Sequence, residues 1–131
     1  MPTLPTRPLY NRSRKNHEPL QVYGYILSEK EMVDWLRWDE KRNIRGHDSD
    51  YEEEAIEKIA ERLRASNELD YSWTAVRNPV DNELTSCFYV GSNHNKATLK
   101  RAKNWKRIRR YQRVLGIEED VLPCWYKVVA A

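Results

Sequence analysis

The chain has 131 residues, 40% hydrophobic and 33% charged, with a formal net charge of +3. That length makes one hydrophobic core the default, leaves no room for two ordinary domains, and buries about two thirds of the unfolded surface with no need of a disulfide or a metal. Five Trp, eight Tyr and one Phe argue against disorder, two cysteines are too few for a disulfide framework, and no apolar run forms a signal-peptide core or a membrane span, so an intracellular protein of the cytoplasm or nucleus is expected.

Residues 1–19 hold four of the six prolines together with Arg7, Arg12, Arg14 and Lys15. Proline blocks helix and ladder hydrogen bonds, so this stretch reads as an extended basic tail ahead of a single domain over residues 20–131. Leu20 to Leu27 reads as the first strand, with Tyr23, Tyr25 and Leu27 on one face and Val22, Gly24 and Ile26 on the other. Two apolar faces predict a central strand, and Gly24 between two tyrosines predicts a bulge or a close approach. Ser28-Glu29-Lys30-Glu31 has the reciprocal spacing of a capping box. It opens a helix from about Glu29 to Lys41, with Met32, Val33, Trp35 and Leu36 inward and Trp38 off that face.

Asn43 to Ser49 is a polar connector. Asp50 and Glu53 repeat the capping pattern ahead of a second helix, Tyr51 to Ala65, with Ile56, Ile59, Ala60 and Leu63 facing the core. Its first turn carries Glu52, Glu53 and Glu54 and its last Arg62 and Arg64, a polarity that the helix dipole favours. Tyr71 to Arg77 and Leu84 to Val90 read as an antiparallel hairpin around Asn78-Pro79-Val80-Asp81-Asn82. One long helix is predicted from Lys96 to Leu115, stopped by Gly116, and Pro123 precedes a last strand, Cys124 to Val129. The order β-α-α-β-β-α-β predicts an α+β fold: a small, mostly antiparallel four-stranded sheet with about three helices packed on it.

Charge is unevenly spread along this plan. Residues 29–70 hold fourteen acids against eight bases, whereas no acid lies between Glu83 and Glu118, a stretch with nine Lys and Arg. On a continuous helix, Ala97, Asn104, Ile108, Tyr111 and Leu115 share one side with Trp105 at its edge, and Lys100, Lys103, Lys106, Arg107, Arg110 and Arg113 share the other. Arg101 falls nearer the apolar side. A face of six cations repels itself unless water or an anion lies opposite. It is consistent with a solvated surface, with docking to an acidic protein or to another copy of the chain, or with nucleic-acid binding helped by the basic tail. The RNA-recognition aromatic signature, the zinc-finger spacing and the GXXG loop are absent.

Other chemistry is thin. Gly46-His47-Asp48-Ser49-Asp50 lacks metal-ligating partners, and counting from Asp48 the calcium-loop glutamate position is Ile59, so no metal is expected and no cofactor is implied. Asn93, His94, Asn95 and Lys96 lead into a helix and form a possible anion site, with capping as the plain alternative. Cys87 and Cys124 sit in apolar strand runs as small hydrophobes, with a bridge between neighbouring strands left open. No carboxylate lies in an apolar strand, where its pKa would rise for acid catalysis, and a catalytic role is not expected. Tyr23, Tyr25, Trp73, Tyr89 and Trp125 fall on strands, and an uncovered sheet face would turn them into an aromatic-lined pocket for a small ligand.

The basic Pro-rich start, the strand-to-helix entry Val22-Tyr23-Gly24-Tyr25-Ile26-Leu27-Ser28 and the ending Leu115-Gly116-Ile117 to Pro123-Cys124-Trp125 resemble small uncharacterised proteins from mushroom-forming fungi, over most of residues 20–127. The resemblance implies no activity and carries no site residues across. The expectation from the residues is a non-catalytic interaction domain that uses its basic amphipathic helix.

Overall fold

The computed structural model describes residues 20–129. The basic Pro-rich stretch lies outside the described residues. Strand β1, Gln21–Leu27, leads into helix α1, Glu29–Glu40. The Glu31 N–H donates to Ser28 Oγ at 3.1 Å and the Ser28 N–H to Glu31 Oε1 at 3.2 Å, so the expected capping box forms. A 3-10 turn, Asp48–Asp50, precedes helix α2, Glu52–Ala65. Asp50 does not cap α2: it lies inside that turn, and Tyr51 occupies the cap position without a side-chain hydrogen bond. Strands β2, Ser72–Arg77, and β3, Leu84–Ser92, form the hairpin. Helices α3, Lys96–Arg101, and α4, Trp105–Leu115, and strand β4, Cys124–Lys127, complete the fold.

The sheet order is β2-β3-β1-β4 and every pair is antiparallel. The apolar β1 is central, as its two buried faces require. Its register against β3 slips between Tyr23 and Gly24. A Cβ on Gly24 would lie 1.9 Å from the Phe88 carbonyl oxygen, so only glycine fits where the two backbones converge.

The helices bury one face of the sheet. Tyr23, Phe88, Trp73 and Trp125 pack there against Met32, Leu36, Ile59, Leu63, Ile108 and Tyr111. The opposite face carries Val22, Val76 and Cys87, fully buried, with Ile26, Tyr89, Tyr126 and Val128 around them. The two edges of the sheet meet beside this second cluster. Val76 bridges Val128, and the Val129 N–H donates to Ala75 O at 3.1 Å. The chain after β4 therefore touches β2 at this one place, which partly covers the edge of β2.

The single long helix expected over Lys96–Leu115 is two helices. α3 ends at Arg101, and Asn104 opens α4 by accepting from the Arg107 N–H at 3.2 Å. The break lets α3 turn down onto β3. A Cβ on Gly91 would lie 2.8 Å from that of Ala102, which is fully buried. A straight helix would carry Ala102 and Ile108 past the sheet at fixed pitch; two short ones let each dock separately.

Candidate partner-binding surface

The cations of α3 and α4 divide into two kinds. Arg107 is 6% exposed and belongs to the core. Its guanidinium donates to Val90 O at 3.1 Å, to the Asp70 carbonyl, and to Tyr111 Oη at 3.1 Å, with its carbon 5.2 Å from the centre of the Tyr111 ring. It joins α4 to the end of β3 and to the loop before β2. The Val90 carbonyl it satisfies would otherwise be a buried acceptor without this donor, while the Asp70 bond is part-buried. Arg107 therefore does not belong to a partner-facing set. Its position on the helix lies next to Tyr111, and its long stem let it turn inward.

Arg110 is paired within the chain. Its Nε meets the carboxylate of Glu68, which is itself buried. The face expected to be six free cations thus contributes Lys100, Lys103, Lys106 and Arg113, all exposed. Arg109 joins them, a residue that the face expected from the sequence left out: Lys106, Arg109 and Arg113 stand at i, i+3 and i+7 of α4. Among the described residues, no carboxylate lies within 4.0 Å of any of these five. α4 has no acid in its first turn, where the helix dipole would favour one and disfavours Lys106. Trp105 stands in the same turn, 41% exposed.

The other expected sites resolve into structure. Asn93 is buried and ties β3 to β1, accepting from the Gln21 N–H at 2.8 Å through Oδ1 and donating its own N–H to Gln21 O at 3.1 Å. Asn95 caps α3 reciprocally with Thr98. The anion site over Asn93, His94, Asn95 and Lys96 is not built: two of the four are spent on backbone hydrogen bonds, and α3 has only six residues.

Nor do the aromatics form one pocket. Tyr23, Trp73 and Trp125 pack under the helices, whereas Tyr89 lies on the opposite face, paired across from Gly24. Tyr25 is buried too; its hydroxyl donates to Val121 O at 2.7 Å and accepts from Gln112 Nε2 at 3.0 Å. Tyr25 borders one cleft of about 360 Å³ and Tyr89 another of about 370 Å³, so strand parity splits the five rings.

Cys87 and Cys124 are free thiols on β3 and β4, which flank β1 on opposite sides. They are not on neighbouring strands, so the bridge left open by the sequence has no adjacent partner. Burial pushes the Cys87 thiol up to about 12, helped by the Cys124 thiol nearby. His94 lines the cleft that holds Tyr89, a cleft that contains neither Cys87 nor Glu68. Among the described residues, no helix is long and apolar enough to cross a membrane. Comparison with protein-family models, with curated proteins and with solved structures gives no match.

Proposed function

We propose that this protein is a non-catalytic interaction domain that docks an acidic protein surface on the cations of α3 and α4. One observation carries the reading: Lys100, Lys103, Lys106, Arg109 and Arg113 have no carboxylate within 4.0 Å among the described residues. Lys106 stands in the first turn of α4, where the helix dipole disfavours a cation, and like charges near one another are costly alone and are offset when an anion arrives. A second copy's acidic helices fit less well, because Asp34, Asp39, Glu40, Asp48, Glu54 and Glu61 already lie within 4.0 Å of Arg37, Arg42, Lys58 or Arg62. The non-catalytic part rests on the thiol of Cys87 being buried and held protonated, and on the buried carboxylate of Glu68 being engaged by Arg110.

Nucleic acid is the second reading, and exposed Trp105 favours it. An indole among unpaired cations is the arrangement on which an unpaired base stacks. Parallel anisotropy titrations with a labelled Glu/Asp peptide and a labelled single-stranded oligonucleotide, at physiological salt, separate the two. The first reading expects tighter binding of the peptide and little effect of Trp105→Ala. Tighter binding of the oligonucleotide, lost in Trp105→Ala, would replace it with the second.

A further inference from the structure

A cleft of about 370 Å³ lies where the chain passes from β3 into α3, beside the loop that enters β2. Its walls are fixed by contacts within the fold. Arg107 holds the carbonyls of two lining residues, Val90 and Asp70, and Asn93 ties the end of β3 to Gln21. A cleft framed in this way is formed before any ligand arrives, and binding there costs little ordering of the protein.

The lining has an apolar side and a charged side. Leu20, Val22 and Leu69 make up the first with Tyr71 and Tyr89, whose hydroxyls form no hydrogen bond among the described residues. Arg101 and Asp70, both exposed, make up the second, with His94 also on the wall. Among the described residues Arg101 has no carboxylate within 4.0 Å, and the Asp70 carboxylate has neither a cation within 4.0 Å nor a hydrogen bond. Two opposite charges thus border one cleft without meeting. Arg101 alone would suit any anion, and Asp70 alone any cation. Together, beside an apolar side, they suit a molecule that carries both charges and an apolar body.

We propose that this cleft binds a free amino acid with an apolar or aromatic side chain. Its carboxylate meets Arg101, its ammonium meets Asp70, and its side chain lies against Leu69, Tyr71 and Tyr89. Both charged groups of an amino acid leave one carbon, so they fit a gap that the two protein side chains leave open. A plain carboxylic acid would set an anion against Asp70, and a plain amine would set a cation against Arg101. Each is disfavoured by a like charge, which makes the pair a selective device. The site is separate from the docking surface proposed above, to which neither Arg101 nor Asp70 belongs.

The test is an NMR titration of the full chain with L-phenylalanine, 3-phenylpropionate and phenethylamine, read on the ring signals of Tyr71 and Tyr89. The proposal expects saturable shifts with L-phenylalanine and binding at least about tenfold tighter than that of either analogue. Arg101→Gln should erase its advantage over phenethylamine, and Asp70→Asn its advantage over 3-phenylpropionate. Neither side chain has a partner to lose, and Asp70→Asn keeps the carbonyl that Arg107 holds, so both variants should melt with the wild type. Lys103→Glu/Lys106→Glu should leave the three affinities within about twofold, which keeps this test apart from that of the acidic partner. No saturable shift up to about 10 mM, an analogue that binds as tightly as L-phenylalanine, or an affinity indifferent to both Arg101→Gln and Asp70→Asn would overturn the site.

Discussion

Residues 29–70 and residues 96–113 carry opposite charge and hold it differently. In the first, Arg37, Arg42, Lys58 and Arg62 are threaded among the acids of α1, α2 and the turn between them. Six acids are locally balanced in this way, while Glu52 lies beside Glu29 with no cation within 4.0 Å of either among the described residues. In the second, Arg107 and Arg110 are engaged by Val90, Asp70, Tyr111 and Glu68, while seven exposed cations, the five above with Lys96 and Arg101, face no carboxylate among the described residues. Individual surface ion pairs contribute little to stability, about 0–1 kcal/mol each. The difference therefore matters less for holding the fold than for what each surface can meet.

The sharpest way to break the division within the second region is Arg107→Met. Two buried acceptors and one part-buried acceptor lose their donor, so a loss of about 3 kcal/mol and a fall in Tm of about 10 °C are expected in thermal unfolding. A fall of under about 3 °C would return Arg107 to the surface set. Alkaline titration comes next. Burial pushes Tyr23, Tyr25 and Cys87 up to about 12. Each is neutral when protonated, and the unfolded chain releases its proton first. Stability should therefore be fully present below about pH 8.5, near the ordinary thiol value, and decline toward pH 12. A flat denaturant midpoint from pH 8 to 11 would contradict that.

Arg110→Glu sets two carboxylates together beside buried Glu68. It should cost about 1–3 kcal/mol, a Tm loss of several degrees. A freely solvated face would show almost no change. Smallest of all, Lys103→Glu/Lys106→Glu should leave stability within about 0.5 kcal/mol by chemical denaturation, because neither side chain has a partner to lose. A larger loss would show that these cations are held within the chain after all.

Much of the fold was legible because its signals are local. The Ser28 box, the apolar faces of β1, the Gly116 stop and the α2 charge polarity each depend on residues a few positions apart. The candidate site was less legible because it depends on distant groups. Nothing near Arg107 in sequence announces that carbonyls 17 and 37 residues away will need its guanidinium. The same holds for Glu68 and Arg110, 42 residues apart. The helix break is tertiary too, since the apolar spacing runs through Asn104 and only the fit of Ala102 onto Gly91 calls for a turn. The break did not hide Arg109, whose spacing to Lys106 and Arg113 lies wholly within α4 and was readable from the sequence. For the aromatics, parity along β1 was readable, but the pairing of Tyr89 with Gly24 rather than with a neighbouring ring was not.

On the proposed reading, position and not net charge makes the α3 and α4 cations a binding surface. The measurement that tests it most directly is anisotropy of a labelled acidic peptide against three full-length chains at two salt concentrations. These are the wild type, Lys103→Glu/Lys106→Glu, and Arg45→Glu/Arg64→Glu, an equal charge change on exposed residues of the acidic region. The account predicts salt-dependent binding that falls at least tenfold in the first variant and less than threefold in the second, for two lost contacts of about 1 kcal/mol each. Equal losses in both variants, or no binding by the wild type at physiological salt, would contradict it.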